Sequence, residues 1–487
     1  MKAIMSYLCL QIGIIAMPNA FANDLFQSWN AVRNQLQDGG TSAWLGYSIK
    51  QSVTLGTARH SGTEGVYFYS SSHGNGPGLL TLLDTYGKSA PGLSGVMILS
   101  GKDMSDDDQV IRETLILFRL DAEGILESVK TGNTNWSFGL NSSDFYWLGE
   151  YSVDRSLPFL TTLFEQSHPE KVMRNLISAI GQHMDPDTVV PYLVPVLQGD
   201  FSPKIRSEAA EGLGFQGADA AVQPLLHVAM NDASEKVARE ATEALGRLNT
   251  GKANKAIETI LNSNAPEKVR CQAVEALGRK MTQEKIGVLG KLVFADPSAR
   301  VQREVVETVA KSGHTESWQW VQKILREHTN ERVLRTAVEE LRRFPEQKAL
   351  GEIERILEGD AESKVMREAC ETLGHMESPE SKKLLFKVVT LNPDAYVRRA
   401  ALEALEKRFE PDVLVLMEKV ATADPAKKVR KQAMESLLKA GDSRGLQALI
   451  RLVKGSGNQE TRSMAIDLLG DSKRPEARDA LIEILKH

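Results

Sequence analysis

The sequence contains few cysteines. There are 3 among 487 residues, and Cys9 lies in an apolar N-terminal run, which leaves Cys271 and Cys370. These two residues stand about three helical units apart in the repeat array described below, and packed helices are about 10 Å across. A disulfide needs Cα atoms ~4.4–6.8 Å apart. We therefore predict two free thiols and a chain that helix packing stabilises.

An excess of charge of one sign is absent from most of the chain. Residues 157–487 contain 49 Lys and Arg and 49 Asp and Glu, whereas residues 23–156 contain 9 and 15. A neutral array without a basic stripe argues against nucleic acid, because phosphate contacts dominate that affinity. It also lacks the polybasic cluster of a membrane-surface binder. We expect no nucleic-acid partner and no membrane insertion of the mature chain.

The N-terminus contains the longest apolar run. Lys2 precedes a mostly apolar stretch from 3 to 17, and Ala20 and Ala22 follow it as small residues around Phe21. This pattern is typical of a secretory signal peptide, and the run is too short to span ~30 Å of hydrocarbon. We predict residues 1–22 as a signal peptide that is cleaved after Ala22, and a periplasmic or secreted mature protein.

Residues 23–156 have the pattern of a small domain. Leu25, Trp29, Val32 and Leu36 have helical spacing, and Gly39-Gly40 ends that helix. Runs of strand character follow, separated by Gly, Ser, Asn and Asp clusters: 44–55, 66–69, 93–99, 110–120 and 125–129. We predict a helix and a small, mainly antiparallel sheet.

Three other stretches of this domain stand apart from the strand pattern. The aromatic stretch 144–149 is predicted to cover the first helical repeat, since a repeat array needs a capped end. The glycine-rich loop 71–78, with His73, lacks the marks of a phosphate loop or a nucleophile elbow and is interpreted as a connector. Asp103 and 106–108 lack the spacing of a calcium loop and are interpreted as a solvated turn.

From residue 157 onward one pattern recurs. The stretch 269–278 has counterparts along the chain. Their first branched residues are Val172, Ile205, Val237, Val269, Val301, Val333, Val365, Val397, Val429 and Thr461. After one step of 33 residues, every step is 32. Such a period indicates a repeat array. The apolar spacing within each unit predicts two antiparallel helices, called here the first and the second helix of the repeat, and the branched residue opens the second. Their apolar stripes stack into one core.

Polar columns keep the same period. Asp or Asn stands five residues before most branched residues and is often followed by proline, as at Asp296 and Asp424, so we predict N-caps with proline at the first helical position. A basic column on the second helices includes Arg303, Arg335, Arg367 and Arg399, each with Glu four residues later. We interpret these columns as i,i+4 ion pairs. The alternative is a recognition surface.

The unit Val-Arg-x-x-Ala-x-x-Ala-Leu-Gly, complete at 269–278, resembles the HEAT-like repeat of bacterial proteins, including phycobilin lyases. The resemblance covers residues 157–487 and implies an α-solenoid that serves as an interaction surface. The array also resembles deoxyhypusine hydroxylases, which bind di-iron through paired His-Glu dipeptides. His314 and His328 are followed by Thr and His375 by Met. Phycobilin lyases act inside the cell, whereas export is predicted for this chain. We therefore expect no enzymatic activity, cofactor or metal.

One repeat departs from the pattern. Trp318 and Trp320 lie in a predicted helix 316–327, which His314 and His328 flank, and His328 replaces the capping Asp or Asn. Trp320 aligns with an apolar column and is predicted in the core, whereas Trp318 aligns with a mixed column, and tryptophan is enriched at binding hot spots. The candidate partner contacts are Trp318, His314, His328, Arg303, Arg335, Arg367 and Arg399.

The sequence thus predicts an α+β chain with a small N-terminal, mainly antiparallel β domain (23–156) and a long all-α HEAT-like solenoid (157–487) of 32-residue repeats. The predicted function is that of an exported scaffold for a protein or peptide partner in the cell envelope. Alternatively, residues 23–156 are a ligand-binding or hydrolytic module and the solenoid is its docking arm. Against this, His60 and His73 are the histidines of that domain, and no nucleophile, metal or cofactor pattern accompanies them.

Overall fold

A computed structural model describes residues 14–16, 24–39, 41–54, 66–68, 109–132, 144–440, 443–455, 458–472 and 475–485. The strand run 93–99, His60, the glycine-rich loop 71–78 and the acidic turn around 106–108 lie outside the described residues. The chain forms two compact units, Met1–Lys280 and Met281–His487. The predicted division near residue 156 follows the change from strands to helices and lies inside the first of these units.

The first unit contains a mixed sheet. Its strands are β1 (Ile14–Ala16), β2 (Ala43–Thr54), β3 (Val66–Phe68), β4 (Gln109–Leu120), β5 (Leu126–Gly132) and β6 (Asp144–Tyr151). The order is β1-β6-β2-β4-β3, and β5 also pairs with β4. The pairings of β4 with β2, β3 and β5 are antiparallel as predicted. Strand β6 was not predicted; it runs parallel to β1 and β2, because it adds beside β2 and does not form a hairpin with β5.

Aromatic side chains join this sheet to the first helices. Helix α1 (Leu25–Gln37) buries Trp29, which packs with Phe118 of β4 and Phe159 of the following helix, and Tyr47 of β2 packs with the same two rings. The ring centroids of the pairs in this cluster lie 5.3 to 6.2 Å apart. The sheet therefore covers the start of the helical array through β2 and β4.

The aromatic stretch 144–149 covers the helices with one of its two faces: the buried Tyr146 lies on the face of Phe118, as predicted, whereas Phe145 does not. The stretch forms most of β6, and Phe145 packs with Trp44 and Leu117. Successive strand residues point to opposite faces of a sheet, so Leu117 lies on the face away from Phe118. Phe145 therefore belongs to the face that does not meet the helices.

The rest of the described chain consists of helices that pack in pairs, one pair to a repeat. The first unit contains α2 (Val153–Gln166), α3 (Glu170–Gly181), α4 (Pro186–Gln198), α5 (Pro203–Gly214), α6 (Val222–Asn231), α7 (Glu235–Leu248), α8 (Gly251–Leu261) and α9 (Glu267–Gly278). The second unit contains α10 (Gln283–Ala295), α11 (Ala299–Lys311), α12 (Thr315–Glu327), α13 (Glu331–Glu340), α14 (Glu346–Glu358), α15 (Ser363–Gly374), α16 (Pro379–Leu391), α17 (Ala395–Leu405), α18 (Pro411–Ala423), α19 (Lys427–Lys439), α20 (Ser443–Gly455), α21 (Gln459–Asp471) and α22 (Pro475–Leu485). The branched column is buried in every repeat, which confirms the predicted helix pairs. Cys271 and Cys370 form no disulfide, as predicted, and both are buried.

Second helices approach one another closely at small residues. A Cβ added to Gly246 of α7 would lie 2.7 Å from the Cβ of Ala276 in α9, and one added to Gly181 would lie 2.7 Å from the Cα of Gly212. Such distances leave no room for a side chain. The glycine that closes the repeat motif is therefore a packing residue.

The capping prediction is wrong. Asp296 Oδ1 accepts a hydrogen bond from the backbone N–H of Ser298 at 2.8 Å, and Asp424 Oδ1 accepts one from Ala426 N at 2.9 Å. Ser298 and Ala426 are the N-caps, so Pro297 lies in the loop and not at a first helical position. The acidic side chain closes the turn that precedes the helix, because a carboxylate can accept the N–H two residues later.

Candidate binding surface

The arginine that directly follows the branched residue lies inside the array. Arg398 donates from Nε and NH2 to the two carboxylate oxygens of Asp424, both at 2.8 Å, and the two side chains are only 8% and 6% exposed. Arg206 pairs with Asp232 at 2.8 Å in the same way. Sequence reasoning missed these pairs, although the Val-Arg step of the motif was a visible signal. They hold neighbouring repeats together.

The predicted arginine column lies one residue further along, on the second helices of the second unit. Its four members donate to Thr336 Oγ1 (Arg303, 2.9 Å), Glu368 (Arg335, 3.0 Å), Tyr396 OH (Arg367, 2.8 Å) and Gln432 Oε1 (Arg399, 3.3 Å). Each acceptor lies on the next second helix. The i,i+4 interpretation is therefore wrong for the first three arginines. It holds for Arg399, which also lies 3.5 Å from Glu403.

Neutral acceptors orient three of these four guanidinium groups. Thr336, Tyr396 and Gln432 can fix an arginine without neutralising it. Arg303 and Arg367 are exposed, and Tyr396 is 40% exposed with the Arg367 guanidinium 5.7 Å from its ring centroid. The surface therefore presents cations that are held in place and retain free N–H donors.

The second helices of the second unit, which we call the second-helix layer, carry cations and carboxylates side by side. Helices α11, α13, α15 and α17 contain 9 Lys and Arg against 8 Asp and Glu, and α19 contains 5 against 1. The basic excess therefore lies in α19, and the arginines of α11 to α17 stand among nearly as many carboxylates.

The irregular repeat places its residues elsewhere, along α12. His314 is the exposed N-cap and makes no side-chain capping bond. Trp318 is half-buried, with its ring 5.3 Å from that of Phe344 and Lys348 Nζ 5.8 Å from its centroid. Since α12 is a first helix, the structure does not bring these residues together with the arginine column.

Trp320 and His328 fill two sites beside α10. Trp320 is half-buried, and a Cβ on Gly290 would lie 2.2 Å from its ring, so it occupies a notch on α10 and not the predicted core. The His328 ring lies 5.6 Å from that of Phe294. Burial lowers the pKa of His328, and a backbone hydrogen bond with Val293 acts in the opposite direction.

The first unit carries a group of half-buried glutamates on its second helices. Burial raises the pKa of Glu208, Glu211 and Glu240. Arg247 counters this rise for the last two, and it lies 3.3 Å from Glu240 and 2.8 Å from Glu243. The arginine thus stabilises an otherwise repulsive group of carboxylates.

A buried Ser–His pair was also missed. Ser156 Oγ lies 2.8 Å from His183 Nε2 and 2.6 Å from Tyr47 OH, and His183 Nδ1 lies 3.0 Å from the Ala179 carbonyl. No sequence signal links Ser156 and His183, which are 27 residues apart. The three side chains are less than 1% exposed, so a substrate cannot reach the serine.

Two further searches cover only the described residues. Within them, no group of three or more His, Cys, Asp or Glu side chains is arranged to hold a metal ion. No helix among them has the length and apolar character needed to cross a bilayer.

These features define a class: a helical-repeat protein with an N-terminal mixed sheet. A family model described as "HEAT repeats" matches residues 157–246, 190–266, 254–327, 319–406 and 413–487. The matches span more than half of the chain. The chain belongs to the HEAT-repeat family. A comparison with curated proteins found no match.

Solved structures with similar helical arrays include a human deoxyhypusine hydroxylase in complex with glycerol (19% identity, TM-score 0.23, 58% of this chain and 99% of that chain). They also include Kap121p bound to Pho4p (13%, 0.43, 65% and 42%) and the CpcE–CpcF complex of phycocyanin lyase from Nostoc (17%, 0.26, 47% and 91%). This chain thus spans less than half of the Kap121p chain.

Proposed function

We propose that this protein is a non-enzymatic scaffold that holds a protein or peptide partner on the second-helix layer of residues 281–487. The observation that carries the proposal is the arginine column, in which residues of the next helix orient each guanidinium. A side chain that is already ordered loses little conformational entropy on binding. Arginine and tyrosine are also enriched among residues that dominate binding energy.

The buried Ser156 weighs against the alternative of a hydrolytic N-terminal module. A nucleophile must reach the substrate, and the Ser156 and His183 side chains are completely enclosed. Their hydrogen bonds account for a structural role. We therefore keep the scaffold as the proposed function.

We also propose that the protein is exported and that its partner lies in the cell envelope. The support is the N-terminal pattern of Lys2, the apolar run and Ala20-Phe21-Ala22. Cleavage after Ala22 would remove β1 and leave β6 paired with β2. N-terminal sequencing of protein from the periplasmic fraction tests this, and a mature chain that still begins at Met1 would contradict it.

Photo-cross-linking tests the binding surface. A photoreactive residue at the exposed position of Glu371 on α15 is expected to capture a partner that mass spectrometry identifies. The same residue at Val415, which is 68% exposed on the first helix α18, is the control. Capture of the same protein from both positions, or from neither, would contradict the proposed surface.

Charge removal gives a second test of that surface. The triple variant Arg303→Gln, Arg367→Gln and Arg399→Gln should lose the captured partner. The triple variant Lys291→Gln, Lys383→Gln and Lys419→Gln removes the same charge from exposed positions of first helices. It should retain the partner.

A further inference from the structure

The chemistry of the second-helix layer indicates what kind of partner it fits, a step that rests on the proposed function. We propose that its occupant is an acidic polypeptide segment that lies across α11 to α17, with carboxylates on Arg303 and Arg367.

The two arginine columns show why these cations are available. Asp424 neutralises Arg398 in the interior with two 2.8 Å hydrogen bonds. In contrast, Arg303 is held by the Thr336 hydroxyl at 2.9 Å and Arg367 by the Tyr396 hydroxyl at 2.8 Å. A hydroxyl fixes the guanidinium without an ion pair, and the carboxylates of Glu371 and Glu403 act on Arg367 only through space. The other N–H donors of both guanidiniums suit a carboxylate.

The spacing of the column limits how the acidic residues are arranged. Arg303 and Arg367 are two repeats apart, and packed helices lie about 8–10 Å from one another, so the two guanidiniums are separated by roughly 20 Å. An extended chain rises about 3.3 Å per residue, which makes the separation about six residues. Arg335 lies between them, and Glu368 already pairs with it at 3.0 Å. The partner should therefore carry two acidic residues about six positions apart. An acidic residue between them, opposite Arg335, should contribute less.

Interleaved glutamates favour a polypeptide over nucleic acid. Glu307 and Glu371 stand four residues after Arg303 and Arg367 on the same helices. A nucleic-acid strand carries a charge every ~3.4 Å and would set phosphates against these carboxylates. A polypeptide can place neutral residues there, and the exposed Tyr396 ring offers them an apolar surface.

The test uses the full chain and three fluorescent probes: a neutral 12-residue peptide with two glutamates about six residues apart, the same peptide with lysines in their place, and a 12-nucleotide oligothymidylate. Fluorescence anisotropy should show binding of the glutamate peptide alone, and weaker binding as salt screens the charges. In the Arg303→Gln/Arg367→Gln variant the dissociation constant should rise about tenfold or more. Arg335→Gln should have a smaller effect, because Glu368 already neutralises that guanidinium.

The matched control is Lys291→Gln/Lys383→Gln, which removes two exposed cations from first helices. It should leave the dissociation constant within about twofold, and circular dichroism melts should confirm that both double variants are folded. Equal losses in both variants, no binding of the glutamate peptide, or tighter binding of the oligonucleotide would overturn the inference.

The photo-cross-linking experiment separates this inference from the scaffold itself. Capture at Glu371 of a partner without an acidic segment would refute the acidic occupant and leave the scaffold standing. Failure to capture any partner, together with normal binding of the glutamate peptide, would refute the scaffold and leave the site for acidic peptides standing.

Discussion

His328 Nδ1 accepts a hydrogen bond from the backbone N–H of Asn330 at 3.1 Å. This bond reproduces the turn that Asp296 makes with Ser298 and Asn392 with Asp394 in other repeats. The imidazole thus replaces a carboxylate or an amide in a recurring structural role. It differs from an amide because it gains a proton near neutral pH, and the protonated ring cannot accept.

We predict that acidification weakens the repeat around His328. Burial lowers the pKa of His328 in the folded chain, so the unfolded chain binds the proton more readily. The neutral ring's contribution to stability is complete above the ordinary pKa of about 6.5 and is lost as the pH falls through the lowered value. Thermal melts between pH 8 and pH 5 should show this loss.

Asparagine, which another repeat carries at the equivalent position, should remove that pH dependence when it replaces His328. His328→Asn keeps an acceptor for Asn330, as Asn392 does for Asp394, and should flatten the profile. His314→Gln changes the exposed histidine at the other end of α12 and should leave the slope as in the wild type. A flat wild-type profile, or an equal effect of both variants, would refute the role of His328.

Gly246→Ala should destabilise the first unit by about 1–3 kcal/mol, because the new methyl group would overpack the contact with Ala276. The matched control is Gly351→Ala in α14, where nothing lies within 4 Å of the added Cβ. That change should stabilise by about 0.5–1 kcal/mol, since alanine favours a helix over glycine. Melting temperatures that move in the same direction for both variants would contradict the packing role.

Asp424→Asn should destabilise the second unit by about 3–5 kcal/mol, because it leaves Arg398 as a buried charge without its partner. Asparagine can still accept from Ala426, so the turn is preserved. Glu331→Gln breaks an exposed pair with Lys364 and should change the melting temperature little. A small effect of Asp424→Asn in the same denaturation assay would show that the interior pair is dispensable.

Ser156→Ala should destabilise the first unit by about 1–3 kcal/mol, since it removes a hydrogen-bonding partner from both Tyr47 and His183 in the interior. Thr259→Ala on the exposed face of α8 should have little effect. A fluorophosphonate probe should not label Ser156 in the folded chain. Labelling of that serine would restore the hydrolytic hypothesis.

The local sequence pattern was enough to predict an element wherever only one arrangement buries its apolar residues. The branched column, with Val237 and Val301 both 0% exposed, predicted the helix pairs, because apolar residues three and four apart leave a helix one face to bury. The same reasoning predicted α1 from Trp29 and its neighbours. Strand direction was harder, since an alternating pattern is the same whether β6 runs with β2 or against it.

Polar residues were less predictable because each has several possible partners. Asp296 could cap a helix or close the preceding turn, and both satisfy its oxygens. Arg303 could pair with Glu307 four residues later or with Thr336 thirty-three residues later, which sequence distance cannot decide. The acceptors of the arginine column and the Ser156–His183 pair appear only when separate helices are brought side by side.

The sequence by itself determined the helical repeat, its period and its buried faces, since these depend on spacing within one helix or between identical units. The tertiary structure decided the partners of the polar side chains. Packing sets one helix beside the next and thereby separates the arginines that Asp232 and Asp424 neutralise from those that remain charged at the surface. The charge available to a partner is therefore a property of the stacked helices and not of any single repeat.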